Sequence, residues 1–303
     1  MKFLLFADWH HAPGKFPGRT LEDLHLIQRR AEEENCEFII HAGDFCHGPT
    51  TAMEYVKEYN DFHIPSYHCL GNHDADWCSY EETIKLYNMP NGYYYFDCNG
   101  YRMIVLNPNY FYVNGEYVNY SNGNYFANGA YRDYMPPEQL KWLEETIASS
   151  PYPCITISHE SFGRDSDGVK NQLEVRKIFN EANARKKNSV LMAINGHHHR
   201  DNIRILDGIC YFDVNSAAFD WVPKPHDFFP KEESDKIYFM KNCTIFNDPL
   251  YAIVTVEGAT IKIEGTETTM YRGITTEMTD NPRCDKMGMP CEPIIRSAHF
   301  RLD

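Results

Sequence analysis

Five short runs of apolar and β-branched residues each stop at a cluster of Asp, Asn or His. The runs are residues 2–7 (KFLLFA), 38–42 (FIIHA), 66–70 (SYHCL), 154–158 (CITIS) and 190–195 (VLMAIN). The clusters behind them are Asp8-Trp9-His10, Gly43-Asp44, Gly71-Asn72-His73-Asp74, Ser158-His159 and Gly196-His197-His198-His199. Runs of that length, bounded by Gly, Asp or Pro, read as buried strands. Helix-like stretches separate several of them, at residues 20–34, 50–61, 80–87, 137–149 and 171–187. Strands alternating with helices predict an α/β chain with a largely parallel sheet and helices on both faces. In such sheets ligands bind beyond the carboxyl ends of the strands, so the five clusters are expected to meet at one sheet edge.

The residue types in those clusters are metal-ligand types. Asp, Asn and His make a mixed oxygen and nitrogen set without thiolate, which suits Mn, Fe or Zn. A carboxylate can bridge two cations held roughly 3.5–4 Å apart, as in two-metal hydrolases. Water bound by such a pair ionises near neutral pH and can attack phosphorus in line. The pattern therefore points to metal-assisted hydrolysis of a phosphate ester.

The ordered pattern D-x-H, GD, GNHD, H, GHxH resembles the calcineurin-like metallophosphoesterases over residues 1–218. Gln139-Leu140-Lys141-Trp142-Leu143 is similar to a helix that many bacterial members carry after an insertion. The resemblance implies a four-layer αββα sandwich, two mixed β-sheets flanked by helices, with a dinuclear metal site at strand C-terminal ends. It assigns Asp8, His10, Asp44 and His199 to one metal ion and Asp44, Asn72, His159 and His197 to the other, with Asp44 bridging. By the same resemblance His73 meets the leaving-group oxygen, and Asp74 orients its imidazole. His198, between two assigned ligands, is expected to point away from them.

His47 separates branches of the family. Three residues after the bridging Asp, the purple acid phosphatases carry an iron-binding Tyr, and this chain has His. The Gly-Asp-x-x-His form instead resembles the second motif of double-strand-break repair nucleases. Charge disfavours a nucleic-acid polymer as substrate: 43 Asp plus Glu outnumber 29 Lys plus Arg, and no basic stripe appears. The motif order resembles the bacterial cyclic-nucleotide phosphodiesterase branch. A small nucleotide-like or phospholipid-derived diester is the expected substrate, with monoesters and pyrophosphates as the nearest alternatives. A non-catalytic scaffold, as in the retromer subunit that resembles this fold, is the remaining one; such scaffolds tend to lose ligands that this chain retains.

With 303 residues and 43% hydrophobic composition, the chain can build a sizeable core as one domain spanning residues 1–303. A first strand starting at Lys2 leaves no room for a leader sequence, and no apolar stretch approaches the roughly 20 residues needed to span a bilayer. Ten cysteines are scattered singly and read as reduced, which predicts a cytoplasmic protein.

Residues 107–135 form a Tyr-, Asn- and Gly-rich insertion, expected either as a lid beside the metals or as a hairpin extending a sheet edge. Within it Tyr110 and Tyr125 are candidate substrate contacts, as are His11, His47 and Arg164 elsewhere. Residues 219–249 read as an irregular surface loop. Asp207-Gly208 and Glu257-Gly258 each join two strand-like runs as hairpins, expected to complete a second sheet. The tail at 271–303 has no clear periodicity and is expected to wrap the domain or meet a partner.

Overall fold

In the computed structural model, which describes residues 1–165, 167–279 and 285–302 apart from the side chains of 128–130, the motif-bearing strands divide between two sheets. The first has the order Ala298–Arg301, Thr260–Gly265, Ala252–Glu257, Lys2–Phe6, Phe38–His41, Ser66–Tyr67. The second has the order Asn202–Leu206, Ile209–Asp213, Val190–Asn195, Cys154–Ser158, Tyr101–Val105, Tyr94–Cys98. Parallel pairing is confined to three strands of the first sheet and four of the second, with antiparallel strands outside them. Both sheets are thus mixed, and the ligand clusters come from the carboxyl edges of two sheets rather than one.

Side-chain alternation explains the layering. Along Tyr101–Val105, Tyr101, Met103 and Val105 enter the core shared with Phe3, Leu5 and Ile40 of the first sheet. Ile104 points the other way, to Leu143 and Ile147 of helix Pro137–Ala148 and to Val175 and Phe179 of helix Gln172–Arg185. Leu24, Ile27 and Ala31 of helix Leu21–Glu33 pack on the first sheet with Val56 and Tyr59 of helix Met53–Asn60. The result is the expected αββα sandwich. Local chemistry sets the boundaries: Thr20 and Asp23 form a reciprocal capping box at one helix start. Asp207 (φ 53°) and Gly208 (φ 75°) make the left-handed pair that a tight hairpin needs.

Three expectations change. The hairpin around Glu257-Gly258 does not extend a second sheet; it returns to lie beside Lys2–Phe6 in the first. Residues 219–249 are not an irregular surface loop, because Phe219–Trp221 pairs with Cys243–Ile245 and buries Phe219, Phe229, Met240 and Phe246. The insertion at 107–135 contains a hairpin, Tyr110–Val113 with Glu116–Asn119, but it forms its own two-stranded sheet. It packs Phe111, Tyr120 and Tyr125 against Ala75 in the loop carrying His73. No disulfide joins any of the described cysteines, and all of these but Cys98 are buried. No described helix is long and apolar enough to cross a membrane. Of the tail, residues 280–284 and 303 lie outside the described residues, while Ala298–Arg301 adds an edge strand to the first sheet.

Arg164 departs from its expected place near substrate. Only 1% exposed, its guanidinium bonds Asp167 at 2.9 Å and Asp285 at 2.5 Å and lies 3.5 Å from Asp213. A charge buried that deeply must be matched by counter-charges, and here they tie the tail to the second sheet. Replacing Arg164 by Met should lower unfolding free energy by about 3–5 kcal/mol in urea titrations, since Asp167 and Asp285 lose their partner and Asp213 is left with Arg204 alone. KM for a small phosphate ester should not move; an unchanged urea midpoint with a raised KM would return Arg164 to the substrate.

A second buried pair predicts the acid response. His41 Nδ1 accepts the Gly43 N–H, so its Nε2 donates to His68 Nδ1 at 2.7 Å, and His68 Nε2 donates to Asn60. Burial pushes His41 down to about 3 and His68 well below its usual value. Both therefore remain neutral when folded but take up protons when unfolded below about pH 6.5. Their contribution is present at pH 7 and is lost as pH falls towards 4, by about 2 kcal/mol for His41 at pH 5, with His68 acting in the same direction. Urea midpoints of the His41→Gln variant should fall less between pH 7 and pH 5 than those of the parent protein.

Candidate metal centre

The loops leaving the two sheets bring six of the seven assigned ligands into two groups. Asp8, His10 and His199 form one, and Asp44, His159 and His197 the other; within each, the ligand atoms all lie within 4.8 Å. In the first group His199 Nε2 is 3.3 Å and His10 Nε2 is 3.6 Å from Asp8 Oδ1, and the two nitrogens are 3.0 Å apart. In the second, His159 Nε2 lies 3.0 Å from Asp44 Oδ2. Metal–ligand bonds of about 2.0–2.2 Å place neighbouring donors roughly 3–3.5 Å apart, which these spacings approach. Asp44 Oδ2 also lies 4.0 Å from His10 Nε2, so one oxygen faces both groups.

The protons argue for cations more strongly than the distances. His159 Nδ1 donates to the Ala42 carbonyl at 2.7 Å and His199 Nδ1 to the Phe219 carbonyl at 2.6 Å. Each ring thereby turns its Nε2 into the site, the arrangement found in metal-ligating histidines. A bare nitrogen 3.0 Å from a carboxylate oxygen is repelled unless positive charge lies between them. Asp8 Oδ1, Asn72 Oδ1 and His159 Nε2 are buried without any hydrogen-bond partner. Such orphans are rare unless another group completes them. The residues fit a pair of divalent cations.

The local field tells the same story. Burial works against charge on Asp44, yet His159 and His73 beside it hold its carboxyl well below the usual range. Burial also opposes protonation of His159, but Asp44 and Asp8 drive it well above the usual value. Without a metal, the site draws a proton where the cation would sit.

The backbone is bent to reach this geometry. Asp8 (φ 55°), His10 (54°), Asp44 (51°), His197 (69°) and His199 (50°) all occupy the left-handed region, which side chains other than glycine seldom adopt. Each costs about 1–3 kcal/mol and persists only where surrounding structure enforces it. Hydrogen bonds from the amides of Asp8 and His10 to the carbonyls of Gly43 and Asp44 stitch the first two loops together. Gly43 is required by contact as well as by its φ of 90°, because a Cβ there would overlap the His159 ring.

Several assigned roles shift. Asp74 does not hold the His73 imidazole. Its two oxygens accept the amides of Asp44, Cys46 and Gly71, together with the Tyr87 hydroxyl, and so knot two loops together. Asp76 takes the imidazole instead, with Oδ2 2.9 Å from His73 Nδ1, because three residues along a tight turn return to the same face. Against burial, the Asp44 and Asp76 carboxylates raise His73 above its usual pKa, favouring a protonated ring.

His47 lies inside the cluster, with Nε2 3.1 Å from His10 Nδ1 and Nδ1 2.9 Å from Asp76. Tyr125 also reaches Asp76, its hydroxyl donating at 2.6 Å, and the Asn72 amide nitrogen donates to that hydroxyl at 3.3 Å. Tyr125 is thus buried structure behind the site. His11 stacks on Tyr55 at 3.5 Å rather than facing the ligands. Tyr110, 6% exposed, shares hydrogen bonds with Tyr80 and Asn119 within the insertion and its neighbours. His198 is half-buried, with its Nε2 enclosed and without a hydrogen-bond partner. Sequence reading missed Asp76 and Phe219. The first was signalled by an acid three residues beyond His73, the second only by a short apolar pair of runs with Pro and Lys between.

A model of the calcineurin-like phosphoesterase family matches residues 1–201. No curated protein matches the chain by sequence. Among solved structures, a dimetal phosphatase from Danio rerio is similar with a TM-score of 0.63 at 12% identity, over 100% of this chain and 99% of that one. GAP50, the anchor in the inner membrane complex of Plasmodium, is similar with a TM-score of 0.54 at 13% identity, over 100% and 89%. At such identities the likeness speaks for the fold. Every ligand-bearing loop from Asp8 to His199 falls inside the matched segment, and the chain belongs to the calcineurin-like phosphoesterase family.

Proposed function

We propose that this protein is a hydrolase of phosphoric esters that works with two metal ions. Asp8, His10 and His199 hold one, Asn72, His159 and His197 the other, and Asp44 reaches both. The observation that carries this reading is the pair of buried donor atoms without hydrogen-bond partners, Asp8 Oδ1 and His159 Nε2, which lie 3.9 Å apart with Asp44 Oδ2 3.0 Å from the nitrogen. When bound, such a cation pair lowers the pKa of water and screens charge on the phosphoryl oxygens. The chain's own part is positional. The carbonyls of Ala42 and Phe219 fix His159 and His199 with Nε2 inward. Protonated His73, held through Nδ1, is left with Nε2–H to give to the departing oxygen. The Danio rerio structure of this fold is that of a dimetal phosphatase, which agrees with the reading.

The substrate we favour is a small diester with a flat leaving group, such as a nucleotide-like molecule. Phe126 is 61% exposed and stacks at 4.3 Å on Tyr125, and Trp77, 44% exposed, follows Asp76 directly. Exposed rings of that size invite a stacked partner. Lys15 Nζ, 4.1 Å over the Trp77 ring, adds positive charge beside them. The acidic chain offers no basic stripe for a polymer, so a small molecule is the better fit.

Metal-free protein resupplied with Mn, Fe or Zn should hydrolyse matched synthetic esters, diester faster than monoester, and Asp44→Asn should retain less than half the metal. Full hydrolysis by the metal-free protein would overturn the reading, and faster monoester cleavage would reassign the substrate. Phe126→Ala should raise KM for a nucleotide diester about 2- to 10-fold, with no change for a methyl-ester analogue. Equal effects on both esters would remove the stacking role.

A further inference from the structure

One carboxylate outside the ligand set gathers three side chains around this site. Asp76, 4% exposed, accepts His47 Nδ1 and His73 Nδ1 on Oδ2, each at 2.9 Å, and the Tyr125 hydroxyl on Oδ1 at 2.6 Å. Resting on the two-metal reading above, we propose that Asp76 is a positioning residue. Its hydrogen bonds set the proton on His10, and so aim its metal-binding nitrogen, while they also aim His73 at the leaving group.

The argument follows the protons from the carboxylate outward. An ionised carboxylate only accepts, so His47 Nδ1 must carry hydrogen. A neutral His47 is then bare at Nε2, which faces His10 Nδ1 at 3.1 Å. That contact is a hydrogen bond only when His10 Nδ1 is the donor. His10 in turn is bare at Nε2, the atom 3.0 Å from the bare Nε2 of His199. Two lone pairs at that distance require a cation between them. Asp76 therefore dictates, through His47, the ligand-competent tautomer of His10. The same oxygen fixes His73 through Nδ1, which leaves Nε2 as the nitrogen that can meet substrate.

His47, His73 and Asp76 also lie within 4.8 Å of one another, a spacing that would suit a third cation. The protons decide against it. A cation on His47 Nδ1 would move the hydrogen to Nε2, make His10 Nδ1 the acceptor and leave the hydrogen of a neutral His10 on Nε2, the nitrogen that the two-metal reading needs bare. The packing agrees with a fixed ring: Phe16 stacks on His47 at 4.2 Å, and His47 lies 4.3 Å from His73.

The test uses the whole chain and has two independent readouts. Long-range proton–nitrogen NMR of the zinc-loaded parent protein should find hydrogen on Nδ1 of both His10 and His47. Hydrogen on Nε2 of either would overturn the proposal without any variant. In the second readout, Asp76→Asn is stripped of metal and titrated against a chelating indicator with zinc. Its weaker site should lose on the order of 10- to 100-fold in affinity, the usual effect of removing a ligand's supporting partner. Its kcat for an alkyl ester should fall by on the order of 10²-fold, with a much smaller loss for a nitrophenyl ester that needs no acid. His47→Phe should copy the affinity loss while keeping the parent's leaving-group dependence. Unaltered zinc affinity and leaving-group dependence in folded Asp76→Asn would sink the inference. If the parent protein itself bound no zinc, the two-metal reading would fail instead.

Discussion

Unshielded electron pairs pointed at one another are the constraint around which this molecule is organised. Two carboxylates and the inward nitrogens of His159 and His199 converge in a buried space that draws positive charge, a proton or a cation. The cluster does not hold itself in place. What holds it is the rest of the fold: carbonyls that take the outward N–H of His159 and His199, and amides that clasp Asp74. The left-handed φ values at five assigned ligands are the local cost, and two six-stranded sheets with a shared core supply the rigidity that maintains them.

Much of this was legible before any coordinates. Strand ends carry ligands because buried parallel strands are apolar and their loops are not, so the five clusters announced the strands and the site, though not their division between two sheets. Pairing was less legible. Nothing local says that Ala252–Glu257 returns to Lys2–Phe6 from the far end of the chain, because that choice is made by the core and not by the turn. Arg164 illustrates a different limit. A lone arginine after a ligand reads as a phosphate contact, yet its partners Asp213 and Asp285 lie far along the chain, and only folding reveals the ion cluster.

The same limit explains Asp74 and Asp76. Both are acids just beyond His73, and sequence adjacency favoured the first as the imidazole's partner. Backbone direction decides otherwise. In the tight turn His73–Ala75 the residue three positions on returns to the histidine's face, while the adjacent one turns inward to the amides of the neighbouring loop. The Tyr-rich insertion is a further case. Its composition suggested a lid or a hairpin; the hairpin is there, Tyr120 and Tyr125 are buried behind the His73 loop, and Tyr112, Phe126 and Tyr131 are among the rings left to solvent.

The contact between Gly43 and His159 reaches beyond chemistry. Gly43 leaves the first sheet and His159 the second, and the glycine is needed because the ring lies directly against its backbone. One sheet cannot slide over the other without that ring colliding with the loop. Amides in the two layers should then exchange with solvent as one unit, and local opening at the site becomes opening of the sandwich as a whole. In this architecture the seam between the sheets and the reactive centre are a single mechanical element.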